Sequence, residues 1–344
     1  MTKERGNGMT SKAFRGEVWT NTHPDIMAEM FRINEIDVDG KVGHDGFSLR
    51  ATELMQRNFD EPVRVVYTAN GTAANLVALK SMLNRWGSIL CEEHTHINTY
   101  ECGATESMLG NKILPIRGNM GKLCPEVIEE YLYSTRNYGY RPEVVVITQP
   151  TEFGVLYTND EIRAICELAH KRGMYVYIDG ARISNALAAL GTGIKEMIEE
   201  TDVDTFSFGG TKAGAMFGEM VVFRRSEHFE MLEYLQKQAL QHLDKSKFLG
   251  VQLECLLKDE LWRRTAEHAN ASAKRLEAGL IAKGIELYYP VDTNAVFCIL
   301  SPEQVKSANA RYDVGYWEEK KSLVRLMTTF ATRQEDIDEL LNLL

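Results

Sequence analysis

Apolar and polar positions along this chain fall into alternating blocks. From Arg64 onward, short apolar runs give way to amphipathic stretches and then return. Residues 63–70 (VRVVYTAN) predict a strand, and residues 71–87 (GTAANLVALKSMLNRWG) a helix closed by Gly87. Further strands are predicted over 88–94, 112–118, 143–150, 174–181, 205–210 and 219–225, with helices over 124–135 and 158–173. The first of these helices carries Pro125 in its opening turn, where a missing N–H does no harm. The second begins Thr-Asn, has acids early and bases late, and stops at Gly173, the charge order that the helix dipole favours.

Strands alternating with helices predict an α/β fold with a mostly parallel sheet covered on both faces. Beyond about Leu256 the pattern changes to a long helical stretch (261–284), then short strands (294–300, 323–330) and a closing helix over 333–344. The expected layout is an N-terminal arm over 1–30, a large domain over 31–255 and a smaller α+β domain over 256–344. No proline- or glycine-rich linker marks the junction.

A chain of 344 residues suffices for such a pair of units with a substantial core. Its composition, 44% hydrophobic and 26% charged, is that of an ordinary globular protein. The net charge of −10 leaves no basic stripe to neutralise phosphates, which argues against a nucleic-acid partner. The opening MTKERGNGMTSK is polar and lacks an apolar core of the secretory type, and no apolar run approaches a membrane span. A soluble cytoplasmic protein without a membrane partner is expected. The six cysteines (91, 102, 124, 166, 255 and 298) are irregularly spaced without a CxxC pair, and are expected to be reduced, mostly buried thiols.

In open α/β sheets ligands sit beyond the carboxyl ends of the strands, and four features fall at such ends. In TANGTAAN a strand runs into Asn70, Gly71 and Thr72, where a helix starts. Its free N–H groups and the Thr72 hydroxyl can hold a phosphate, although an ordinary capped turn has the same signature. In YIDGAR, Asp179 ends an apolar strand, where an unpaired carboxylate is costly. Its partner is either Arg182, in a simple ion pair, or a protonated ring nitrogen. Lys212 lies in GGTKAG between two buried strands. It either reaches water, forms a salt bridge, or serves as a nucleophile of depressed pKa in a dry site, with glycines leaving room for a bulky group. His96, in EEHTHINTYE, is a core histidine, a ligand or a stacking ring. His94 and His96 would point to opposite faces if extended, and no zinc spacing is present, so no metal site is expected. A phosphate cradle, a carboxylate, a nucleophilic lysine and a ring are together the parts that hold pyridoxal phosphate.

At this point the chain resembles the low-specificity L-threonine aldolase and β-eliminating lyase family of fold-type I pyridoxal phosphate enzymes. The resemblance runs through HPDIM, TANGTAANLVAL, HINTYECGA, ITQPTEFGVLYT, YIDGARISNALAALG, FSFGGTKAGAMFGEMVVF, KSKFLGVQ and VRLMTTF, from about Phe14 to the C-terminus. It implies an aspartate-aminotransferase-like large domain and a smaller C-terminal one. It also implies cleavage or formation of the Cα–Cβ bond of a β-hydroxy-α-amino acid, giving glycine and an aldehyde. By position, Lys212 is similar to the lysine that bonds pyridoxal 5'-phosphate, Asp179 to the partner of its ring nitrogen, and His96 to the ring-stacking histidine implicated in proton transfer. Gly71 and Thr72 resemble the phosphate-binding pair. Lys247 falls where relatives carry an arginine that reaches a neighbouring subunit's phosphate, which implies a homodimer or homotetramer. Arg182 and Arg325 match the two arginines that hold the substrate α-carboxylate, a task suited to a guanidinium fork.

The chain departs from the family pattern on the substrate side. Gly16, Glu17 and Val18 stand where relatives read Ser-Asp-Asn or Ser-Asp-Thr. Val42, Gly43 and His44 precede Asp45 where relatives have Tyr-Gly-x. Gly46 to Ser48 replace a Pro-Trp-Thr-like run, and Thr151-Glu152 stand where many aldolases carry a second histidine. Two alternatives accompany the aldolase reading. One is another pyridoxal phosphate reaction on an amino acid, such as β-elimination, transamination or racemisation. The other is a non-catalytic binding protein on the same scaffold.

Overall fold

The apolar runs become two sheets in the computed structural model, which describes residues 11–37 and 44–344. The larger sheet contains β1 (Arg64–Thr68), β2 (Ser88–Glu92), β3 (Lys112–Ile116), β4 (Pro142–Thr148), β5 (Tyr175–Asp179), β6 (Thr205–Gly209) and β7 (Glu219–Phe223). Their spatial order is β1-β7-β6-β5-β4-β2-β3. The neighbours from β6 to β3 pair in parallel, while β7 runs antiparallel to both β6 and β1. All parallel strands, β1 included, therefore end along one edge, and β7 starts there.

Apolar clusters fill both faces of this sheet. One is built around Leu90, Val145, Ile178, Phe206 and Met220, the other around Val66, Ile89, Val146, Tyr177 and Val221. Adjacent residues of a strand point to opposite faces, so strands buried on both sides read as continuous apolar runs. The helix expected over 158–173 is Asn159–Lys171, begun by a capping box between Thr158 and Glu161. The helix after β1 is Gly71–Met82 and stops short of Gly87. Glu143 on β4 accepts both the Asn84 N–H (2.7 Å) and the Asn84 side-chain amide (3.1 Å), which pulls the chain out of the helix early.

The second sheet is antiparallel, ordered β8 (Ala295–Ile299), β10 (Leu323–Met327), β9 (Tyr316–Glu318). Its core gathers Val296, Val324, Tyr312, Ile337 and Leu340 with Phe14 from the N-terminal segment, whose ring meets Tyr312 edge-on at 5.1 Å. The helix Leu261–Ala282 serves both cores: Leu261 and Trp262 pack with the large sheet, Ala273 and Leu276 with the small one. No described helix is long and apolar enough to cross a membrane. Cys91, Cys166 and Cys298 are buried, but Cys102 and Cys124 are exposed, so the thiols are less uniformly interior than the sequence suggests.

Candidate active site

The edge where the parallel strands end opens into a small cavity lined in part by Gly71, His96, Glu152, Asp179, Arg182 and Lys212. Five of the sequence-predicted residues thus converge from β1, β2, β5 and β6. Thr72 follows Gly71 in the first turn of the helix Gly71–Met82. Asn70 caps that helix by accepting the Ala73 N–H at 2.9 Å. A Cβ built on Gly71 would meet nothing within 4 Å, so the helix start faces open space.

Lys212 projects from the turn between β6 and β7. The glycines beside it have a different reason from the one the sequence suggests: the chain's own backbone approaches them. A Cβ on Gly209 would stand 2.3 Å from the Ala181 carbonyl oxygen, and one on Gly210 2.4 Å from that of Gly218. Burial, reinforced by the Arg182 charge, holds the Lys212 ammonium below the usual lysine range.

Asp179 does not pair with Arg182. Its Oδ1 accepts the Ala181 N–H (3.0 Å) and its Oδ2 the Asn75 amide (3.4 Å). Asn75 also donates to Glu101 (2.7 Å) and accepts from the Tyr177 hydroxyl (2.7 Å), while Glu101 meets His96 Nδ1 at 2.8 Å. A continuous buried network therefore joins His96 to Asp179. Burial works against a charged His96 ring, but the Glu101 hydrogen bond and the Glu152 and Asp179 carboxylates outweigh it and raise its pKa. The histidines are not extended: His96 opens a short helix, and His94 Nδ1 instead meets Glu92 at 3.1 Å. Glu92, Glu93 and His94 bring ligand atoms within 4.8 Å of one another. Glu92 is already in use there, accepting the N–H groups of His94 (2.6 Å) and Gly118 (3.4 Å).

Arg182 is held by a residue that sequence reasoning placed among the departures. Glu17 accepts from its Nε (2.7 Å) and Nη2 (3.0 Å), and also from the Asn294 amide (2.7 Å). Burial alone would raise the Glu17 carboxyl; the Arg182 charge and hydrogen bonds reverse this and bring it down to about 2. Arg325 on β10 has no ion-pair partner among the described residues; its guanidinium lies 4.2 Å from the Trp317 ring centre. Burial and the neighbouring Arg182 push it down to about 10. A cation in that condition is a ready seat for an anionic ligand.

Lys247 is not brought to this cavity within one chain; its Nζ donates to the carbonyls of Ile33 (3.2 Å) and Ile36 (2.8 Å). Val42 and Gly43 lie outside the described residues. Asp45 caps the helix Gly46–Gln56 and accepts from the Ser48 and Ser246 hydroxyls, a structural task away from the cavity lining. The sequence reading missed Asn75, Glu101, Glu152 as a lining group, and the Glu17–Asn294 contact. Asn75 carried a usable signal, lying one helical turn after Gly71 and hence on the same face.

Among known proteins, the arrangement of the large sheet and its helices matches Thermus thermophilus aspartate aminotransferase. That match has a TM-score of 0.69 at 16% identity, over 94% of this chain and 88% of that one. The fold is therefore the fold-type I arrangement. A solved Leishmania major threonine aldolase is nearer, with a TM-score of 0.90 at 30% identity over 95% and 96% of the two chains. The low specificity L-threonine aldolase of Pseudomonas aeruginosa is 34% identical over 96% of each chain. The Beta-eliminating lyase family model matches residues 14–303, and the chain belongs to that family of lyases.

Proposed function

We propose that this protein holds pyridoxal 5'-phosphate in the cavity around Lys212 and cleaves the Cα–Cβ bond of a threonine- or allo-threonine-like β-hydroxy-α-amino acid, giving glycine and an aldehyde. The observation that carries this is the convergence, in one cavity, of a depressed lysine, a buried carboxylate, a histidine and an open helix N-terminus. Those residues fit the group. The exposed N–H groups at Gly71 and Thr72 suit a phosphate, Asp179 suits a protonated ring nitrogen, and the buried Thr148 hydroxyl on the cavity wall has no hydrogen-bond partner among the described residues. The Pseudomonas and Leishmania relatives carry the same aldolase name.

When bound, the cofactor supplies an electron sink for the charge left on Cα. The chain's residues do the rest. Burial shifts Lys212 Nζ toward its neutral form, the form that would bond the cofactor, and the same nitrogen would serve to return a proton to Cα. His96, oriented by Glu101 at Nδ1, takes the β-hydroxyl proton. Its raised pKa puts the free-base form above the ordinary histidine midpoint of 6.5. Arg325 holds the α-carboxylate, and Arg182, fixed by Glu17, completes that wall of the site. We assign residues 31–255 to a cofactor-binding unit and 256–344 to a smaller one, with Lys247 serving a neighbouring copy's phosphate in a homodimer or homotetramer.

The test is an amino-acid panel with product identification on the cofactor-loaded chain. Glycine and an aldehyde are expected from a β-hydroxy amino acid, and a Lys212→Ala variant is expected to lose the visible absorbance band of the lysine-bonded cofactor. Pyruvate with ammonia, or interconverted optical isomers, in place of glycine would select elimination or racemisation. A chain that never takes up the cofactor would point to the non-catalytic alternative.

A further inference from the structure

Glu219 is a carboxyl that the reaction above leaves unused. It is the first residue of β7, and its Cα partners are Thr68 and Gly209, the last residues of β1 and β6. It therefore sits between the turn that opens the helix at Gly71 and the turn that carries Lys212. The residue is 5% exposed. Its Oε2 accepts the Gly210 N–H at 2.8 Å, and it hydrogen-bonds the Thr211 side chain. The Thr211 hydroxyl in turn accepts the Gly218 N–H at 3.0 Å. One carboxyl thereby fastens both ends of the turn from which Lys212 projects.

The charged and titratable groups facing Glu219 are Lys212 from that turn, with Asp179 and Tyr177 from β5. Burial pushes the Glu219 carboxyl up to about 7, against the pull of the Thr211 hydrogen bond and the Lys212 charge. Lys212 itself faces Arg182, Glu17, Glu152 and Asp179. Two buried groups of opposite charge type are thus adjacent, each pushed toward its neutral form.

We propose that Glu219 is a positioning residue for Lys212: it anchors the turn that carries the lysine and, by its own charge, adds to the bias of the surrounding carboxylates toward a protonated lysine nitrogen. This rests on reading Lys212 as the cofactor-bonding lysine. An ionised Glu219 favours the protonated nitrogen and a neutral one releases that preference, so the lysine's behaviour follows pH through a group that touches neither substrate nor cofactor.

The experiment uses the full-length cofactor-loaded chain and a Glu219→Gln variant, which keeps an oxygen acceptor for Gly210 but cannot ionise. The readouts are the pH midpoint of the visible absorbance band and the Tm on either side of neutrality. The midpoint is expected to fall by more than about half a pH unit, because the negative neighbour is gone. Stability follows a definite sign. A carboxyl raised in the folded state contributes stability that is complete below its ordinary value and lost as pH rises through about 7. Glu219→Gln escapes that loss, so its Tm relative to the parent chain is higher at about pH 8.5 than at about pH 5.5. If Glu219→Gln does not fold, Glu219→Asp is read instead; it withdraws the charge by one methylene and shifts the midpoint the same way. A band whose midpoint does not move in the variant overturns the inference and leaves the proposed function standing. A parent chain with no such band removes the lysine reading, and the inference with it.

Discussion

A guanidinium that already grips a carboxylate along one edge has one edge fewer for a ligand, and Arg182 grips Glu17 through Nε and Nη2. The family resemblance assigns Arg182 and Arg325 together to the substrate carboxylate; under the proposed function, the Glu17 hydrogen bonds would leave Arg325 the larger share. In the Glu17–Arg182 pair the carboxylate is buried and the guanidinium largely so, with side-chain exposures of 3% and 18%. Losing one partner of such a pair leaves an uncompensated charge, which costs about 3–5 kcal/mol. A Glu17→Gln variant is expected to lose stability of that order at neutral pH, measured by urea unfolding. Because the folded carboxyl lies near 2 and its ordinary value is 4.5, the contribution is complete above 4.5 and fades as pH falls toward 2. The gap between parent and variant should therefore shrink in acid. A gap that is constant with pH would mean that Glu17 is held by packing rather than by charge.

At the scale of elements, the strands were legible because burial on both faces writes uninterrupted apolar runs, and the helix Asn159–Lys171 because Thr158, Glu161 and Gly173 mark its ends. Lys212, Asp179, His96 and Gly71 could be found because each ends or follows a strand, and the ends of the parallel strands share one edge. What local pattern could not show was pairing at a distance. Glu17 meets Arg182 across 165 positions, and nothing near RGEVW announces it. The antiparallel course of β7 was equally hidden, and with it the placement of Glu219 beside the lysine turn. The helix that opens at Gly71 has a testable weak point in its cap. Asn70→Ala removes the acceptor for the Ala73 N–H and is expected to cost about 1 kcal/mol of stability. If that helix start is the phosphate seat, cofactor dissociation rises by about fivefold in the same variant, as equilibrium dialysis would show. Unchanged cofactor binding alongside lower stability would detach the cap from the site.

For the whole molecule, the question is what Lys247 does from outside the cavity. Its ammonium lies on the backbone carbonyls of Ile33 and Ile36, and only in the proposed oligomer would a second chain offer it a phosphate. Mixing decides this. Lys212→Ala and Lys247→Ala chains, each inactive or weakened alone, should regain activity when unfolded and refolded together, since a hybrid then has one site with both lysines intact. No recovery would place Lys247 in its own chain's service. The Glu17 contact bears, finally, on how the chain is made. Glu17, Arg182 and Asn294 leave the ribosome in that order, and 277 positions separate the first from the last. The carboxylate that holds Arg182 therefore has its complete set of partners only after Asn294 has been synthesised, so this wall of the pocket waits on a residue made long after the carboxylate itself.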